Sequence, residues 1–247
     1  MADTRRNVSA SQARHIRRNL QRWAEVHSQA FPWRRPRPFW QGLVAEVLLQ
    51  RTRAAQAVPV FNELIRCYPT AERFANASER DIAKLLAPLG LRWRAPLLYR
   101  LATEIGRRKG RLPRVRAELE ALPGVGSYGA TAALRLHGGV RATIIDSNVV
   151  RVLARFVGEE FDGETRRKQW VRDLANRLTP EHDFRCFNYA LLDLAMLVCV
   201  PRSPHCDRCP LAEMCATARA RGGVAKIGSP AAVFSPTSRT PRTMRAT

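Results

Sequence analysis

Long apolar runs are missing from this 247-residue chain. No stretch reaches the roughly 18 uninterrupted apolar residues that a membrane-spanning helix needs, which excludes an integral helical membrane protein. The opening residues, MADTRRNVSASQARHIRRN, lack the apolar core of a secretory signal. A cytoplasmic protein with reduced thiols, nucleoid-associated through its partner, is therefore expected. Acids are scarce too: Asp and Glu number 21 against 42 Lys and Arg, a formal charge of +21. An excess of that size argues for a polyanionic partner, nucleic acid first. No segment alternates apolar and polar residues with period two, so strands are not expected. The class is all-α, with about ten helices.

What is present is a series of helical patterns separated by Pro and Gly. Ile16, Leu20, Trp23 and Val26 recur at helical spacing from Ser11 to about Gln29. PWRRPRP (Pro32 to Pro38) reads as an extended linker, because Pro disfavours helix there. Helices are predicted over Phe39–Arg51 and Thr52–Cys67, then from the Ser78-x-x-Asp81 cap to about Ala87. Others are predicted over Ala95–Arg108, Arg114–Ala121, Thr165–Leu178 and Phe184–Val198, with LGLRWR (Leu89 to Arg94) as a turn. Residues 1–10 and 216–247 are expected to be disordered. The latter stretch is rich in Ser, Thr, Pro and Arg and contains no acid.

Two motifs carry chemistry. Leu122-Pro123-Gly124-Val125-Gly126 is a tight turn before an Ala- and Leu-rich helical pattern that starts at Ser127. Its glycines let a ligand approach the main chain closely. The amides of Gly124, Val125, Gly126 and Ser127, opening a helix, form a ready anion site. Twenty residues after Gly126 comes Asp146, between Ile144-Ile145 and a new helical pattern beginning near Asn148. Taken singly, these are a helix–helix turn and an Asp N-cap. In this order and at this separation they resemble the helix-hairpin-helix DNA glycosylases, over about residues 20–215. That resemblance implies that Asp146 is the catalytic carboxylate, that the Gly turn grips a DNA phosphate, and that Asn148 faces DNA beside them.

Four of the six cysteines, Cys199, Cys206, Cys209 and Cys215, fall within seventeen residues as C-x6-C-x2-C-x5-C. In a reducing compartment this is a metal site, and four thiolates suit zinc or a 4Fe–4S cluster equally. The resemblance, which is to the iron–sulfur branch of the superfamily, implies 4Fe–4S. It also places Arg202, His205 and Arg208 near DNA phosphate. Cys67 and Cys186 lie on apolar patterns and read as buried structural thiols.

Glu46 is a lone acid in the apolar AEVLLQRT segment, either on a solvated face or in a functional cleft. The resemblance favours the cleft and a role at the leaving base. It implies that Gln50 and Arg51 fill the gap left by a flipped base, with Arg92 or Trp93 wedging the other side. Trp93 reads equally well as a core aromatic. Tyr128 stands where strand-cutting members carry a Schiff-base Lys, and a phenol cannot form that imine. The resemblance implies that Tyr128 is a catalytic residue that contacts the leaving base with Glu46; plain packing on the hairpin helix is the alternative. Asp193, amid an apolar pattern, reads as a satisfied structural carboxylate.

The resemblance implies a six-helix domain over 31–140 and a cluster domain combining 11–30 with 141–215. It implies a monomer that acts on double-stranded DNA containing a mispaired or damaged base. The expected activity is excision of thymine or uracil opposite guanine without strand cutting, as in the thymine/uracil mismatch glycosylases. An adenine mismatch glycosylase is the alternative within the family, next to endonuclease III. A non-catalytic DNA-binding protein is the alternative outside it.

Overall fold

The computed structural model of the chain describes residues 7–90 and 92–222. Among the described residues there are twelve α-helices, several 3-10 turns and no strand, so the all-α class holds. No described helix is long and apolar enough to cross a membrane.

Helix α1 (Ala10–His27) begins with a complete capping box: Ser9 Oγ accepts from Gln12 N, and Gln12 Oε1 accepts from Ser9 N. Val8, just before it, is buried. The expectation of disorder through residue 10 is therefore corrected at 7–10, where a cap and an apolar anchor order the chain. Next come α2 (Phe39–Leu49), α3 (Ala54–Cys67), α4 (Ala71–Ala75), α5 (Glu79–Leu86), α6 (Ala95–Arg107) and α7 (Arg116–Glu120). The remainder are α8 (Gly126–Leu136), α9 (Ser147–Val157), α10 (Gln169–Leu178), α11 (Phe184–Leu197) and α12 (Ala216–Ala220).

Four local differences from the sequence expectation have physical causes. The Pro-rich linker contains a 3-10 turn at Pro32–Arg34, because a Pro in a first turn needs no N–H. The stretch from Thr165 to Leu178 breaks at Lys168, which is extended. Asp162 Oδ1 accepts from the Thr165 amide and hydroxyl and closes a separate turn. Helix α4 was not predicted; Thr70 caps it and it buries Ala71 and Phe74. Helix α12 corrects the disordered tail at 216–222: Ala218 is buried and Thr217 Oγ1 donates to the Arg155 carbonyl at 2.9 Å. Residues 1–6 and 223–247 of the expected tails lie outside the described residues.

The buried apolar side chains form two large clusters. One runs from Trp33 to Leu134 and includes α2 through α6 and the hairpin helices α7 and α8. The other joins Val8 and the buried face of α1 to α9, α10, α11 and the cysteine loop. A small third cluster of Ala132, Leu136, Ile144 and Tyr189 lies where α8 meets α11. Linker residue Arg34 crosses to α11 with a bidentate pair to Asp193, at 2.6 and 2.8 Å. Asp193 is fully buried and also accepts from the Gln29 amide, which fits the structural role read for it.

Candidate active site

The hairpin is made by α7, a turn at 121–125, and α8. Gly124 and Gly126 both have left-handed backbone, at φ 74° and 62°, where a side chain is strained. Helix α8 has Val125 at its N-cap with no side-chain cap, so its first amides remain open to an anion. Arg116 Nη2 donates to Ser127 Oγ at 2.7 Å and ties the two hairpin helices together.

Asp146 is the N-cap of α9. Its Oδ1 accepts from Val149 N at 2.8 Å and its Oδ2 from Asn148 Nδ2 at 3.0 Å. The extended segment leading to it is pinned by buried Asn188, whose Oδ1 accepts from Ile144 N at 2.7 Å and whose Nδ2 donates to Ala142 O at 2.9 Å. Beyond Asn148 the order continues inward. Arg151, also buried, holds Asn148 Oδ1 at 3.2 Å and donates to the Cys199 carbonyl at 2.9 Å. One hydrogen-bonded path thus runs from Asp146 to the cysteine loop. Asn188 and Arg151 carry no local sequence signal and were not anticipated.

Glu46 is buried in the middle of α2, not on a solvated face. Its Oε1 lies 3.0 Å from His137 Nε2, the side chains being 5% and 3% exposed. Tyr128 is 47% exposed over the whole residue. Even so, burial of its phenol pushes it well above the usual tyrosine range, and the Asp146 and Glu46 carboxylates add to the effect. Glu46, Tyr128 and Asp146 therefore share one electrostatic neighbourhood. Tyr128 stays a protonated phenol there, a hydrogen-bond donor and not a nucleophile. Tyr189 is a further neighbour: burial, then Glu46, pushes it up to about 12 against the opposing Arg185 and Arg34. Arg34 stacks on its ring at 4.5 Å. Arg185 is close enough to be felt, yet no group meets hydrogen-bond geometry with the buried Tyr189 hydroxyl among the described residues.

The residues expected to face the DNA gap divide in two. Gln50 is half-buried and its amide donates to the Gly124 and Val125 carbonyls, both at 3.1 Å, so it buttresses the hairpin. Arg51 is exposed in left-handed backbone, φ 57°. Beside it, buried Arg94 donates to the Gln50 carbonyl at 2.7 Å and lies 4.7 Å from the ring of Trp93. Trp93 is 61% exposed, which removes the core-aromatic reading, and Arg92 is exposed as well.

All four loop cysteines line one small hollow, partly open to solvent. Among the described residues no three His, Cys, Asp or Glu side chains converge tightly enough to hold a single ion. Four Cys side chains around one hollow are a donor set that fits a 4Fe–4S cluster. Burial pushes the Cys209 thiol up to about 12, with the Leu211 amide opposing, and raises Cys215 too. Arg155 lies 3.5 Å from Cys199 Sγ and bonds the Val200 carbonyl at 2.7 Å. Arg202, His205 and Arg208 are exposed around the loop. Of the two remaining cysteines, Cys67 is half-buried, and Cys186 is exposed on the first turn of α11, which corrects its expected burial.

The open Gly hairpin, the carboxylate N-cap and the buried Glu46 whose charges both act on Tyr128, and the four-cysteine loop match the features of the helix-hairpin-helix DNA glycosylases. The chain belongs to the HhH-GPD superfamily of base excision DNA repair proteins, whose pattern matches residues 44–176. Residues 199–215 match the iron–sulfur binding domain of endonuclease III, and a 4Fe–4S cluster is the cofactor. The chain is 37% identical to a thymine-DNA glycosylase of Aeropyrum pernix, over 81% of this chain and 92% of that one. It is 37% identical to a thymine/uracil-DNA glycosylase of Pyrobaculum aerophilum, over 77% and 85%. An adenine DNA glycosylase of Mycobacterium tuberculosis is 35% identical over 84% of this chain and 69% of its own length. Among solved structures, a thermostable thymine-DNA glycosylase superposes with a TM-score of 0.77 at 29% identity, over 87% of this chain and all of that one.

Proposed function

We propose that this chain removes thymine or uracil mispaired with guanine from double-stranded DNA, as a monomer, leaving an abasic site without cutting the strand. The carrying observation is Tyr128, a protonated phenol on the hairpin helix that feels both Asp146 and Glu46. It stands at the position from which a Lys would form an imine, and it cannot do so. Similarity to a thymine-DNA glycosylase and to a thymine/uracil-DNA glycosylase supports the same choice of base.

The mechanism follows from the groups in place. The two apolar clusters are the cores of two domains, 31–140 and 11–30 with 141–215, and the duplex lies across the cleft between them. The open amides of α8 hold a backbone phosphate. A mispaired base costs less to extrude than a paired one, and Arg51 and Trp93 occupy the space it leaves. Arg51 also offers two donors to the acceptor edge of the widowed guanine. In the cleft, Glu46 and the Tyr128 hydroxyl bind the base edge. The N-glycosidic bond breaks with its electron pair going to the base. Asp146, held by Val149 N and Asn148, stabilises the cationic sugar. Water adds at C1′, its proton leaves to solvent, and base and abasic DNA depart. The cluster supplies no step; its role here is to hold the cysteine loop against α9.

The test is single-turnover excision from G·T, G·U, A·G and A·8-oxoguanine duplexes at one salt concentration, because affinity for DNA is salt-dependent. The G·T and G·U duplexes should react fastest, with little borohydride-trapped adduct. Fastest release from the adenine pairs would transfer the chain to the adenine branch, and efficient trapping would overturn the monofunctional reading. Tight binding with no excision from any duplex would leave only a DNA-binding protein.

A further inference from the structure

The contact between Glu46 and His137 is unexplained by packing alone. The two residues come from different helices, α2 and the end of α8, and are 91 positions apart. Both side chains are almost wholly out of solvent, and the Nε2–Oε1 distance is 3.0 Å. With the Nε2–H tautomer, His137 donates and Glu46 Oε1 accepts. The imidazole reaches Glu46 because α2 has Gly42 one turn earlier. A Cβ at Gly42 would meet His137 Cγ at 2.4 Å, so the helix leaves open the space the ring occupies. Gly42 and Glu46 lie on one face of α2, four residues apart.

This arrangement decides what Glu46 offers. One lone pair of Oε1 is taken, which fixes the plane of the carboxylate and leaves the remaining oxygen sites as acceptors. The phenols of Tyr128 and Tyr189 both feel the Glu46 charge. A base edge brought to Glu46 would meet one oriented acceptor, with the half-exposed Tyr128 as the accessible hydroxyl donor. Thymine and uracil complement that set with two carbonyls flanking an N3–H. Adenine, which leaves readily only once a ring nitrogen is protonated, needs an acid there.

We propose that His137 is the positioning residue that orients Glu46 as the acceptor for the N3–H of an extruded pyrimidine. The inference rests on the proposed pyrimidine activity and names the residue that sets its base preference.

Two variants test it. His137→Gln places an amide N–H near the position of Nε2. His137→Asn is one carbon shorter and withdraws it. Both stay polar, so their effects on folding are matched, and melting temperature is recorded for each. On G·U and G·T duplexes His137→Asn should slow single-turnover excision at least about tenfold, whereas His137→Gln should stay within about threefold of the parent protein. Affinity for the same duplexes should be unchanged in both. Equal rates for Asn and the parent would overturn the proposal. So would equal losses for Asn and Gln in step with equal losses of melting temperature, the outcome of a purely structural role. Should the parent excise adenine but no pyrimidine, the proposed function fails first and His137 loses this role with it. An active parent with a fully active Asn variant removes the His137 inference alone.

Discussion

At the scale of single residues, one substitution separates the N-cap role of Asp146 from the catalytic role proposed for it. As an N-cap it needs only an oxygen facing Val149 N, and Asn serves as well as Asp. In the proposed role, as stabiliser of a cationic sugar, it needs its charge. Asp146→Asn should therefore slow single-turnover excision by about a hundredfold or more, the usual scale for removing a pre-placed electrostatic group. The folding cost is smaller and has a definite source. Asn148 Nδ2 now donates to Asp146 Oδ2, and it would face another donor if the new amide placed its NH₂ there. Asn148 cannot simply turn over, because its Oδ1 is committed to Arg151. Losing that bond costs about 1 kcal/mol, which in a chain of this size lowers the melting temperature by about 2–4 °C. Thermal melting and excision measured on the same sample check both halves. A loss of activity no larger than the loss of folded protein would remove Asp146 from the chemistry.

At the scale of elements, the hairpin uses its two left-handed glycines differently. A Cβ on Gly124 would meet Leu97 Cβ at 3.3 Å, whereas one on Gly126 would meet nothing within 4 Å. Gly124→Ala should therefore destabilise the fold through packing and strain. Gly126→Ala carries the left-handed strain, about 1–2 kcal/mol, and also puts a methyl outward where a phosphate would approach. Its DNA affinity should fall by a similar factor for matched and mispaired duplexes, because a backbone grip carries no sequence information. Fluorescence anisotropy at fixed salt measures this, and a change confined to mispaired DNA would contradict the grip. The hairpin was legible because its signal is local: Pro and two Gly within five residues, then a helical pattern. The longer helices were legible for the same reason. Helices α4 and α12 have five residues each, too short to stand alone, and depend on apolar side chains docked on neighbours, information their own sequence lacks. The pairings that shape the site are still less visible. His137 with Glu46, Asn188 with Ile144 and Arg151 with the Cys199 carbonyl each join residues more than 40 positions apart. A lone His after a helix gives no hint that it ends against a buried acid.

At the scale of the molecule, the cysteine loop and the candidate catalytic carboxylate are joined through one helix. Asp146 caps α9, while Arg151 and Arg155 of the same helix bond the carbonyls of Cys199 and Val200. Helix α12 follows the last cysteine and docks on α9 through Thr217. Within 199–215 the described chain has only two 3-10 turns, too little structure to hold its own shape. Without metal the buried thiols favour their protons, Cys209 most clearly at about 12. The 4Fe–4S cluster is therefore expected to supply much of this region's stability, as structural metals do in loops with little core. Cys206→Ser, or iron removal by a chelator, should therefore lower the melting temperature by several degrees or more. Excision should be lost together with iron content, although no cysteine touches the substrate. Purified protein should be brown, with broad visible absorbance that disappears in parallel with activity. The measurement is iron per chain, absorbance, melting temperature and single-turnover rate across a chelation series. Full activity in iron-free, colourless protein with stoichiometric zinc would show that the loop needs only a clasp of any kind. Full activity with no metal would show that α9 holds Asp146 in place unaided.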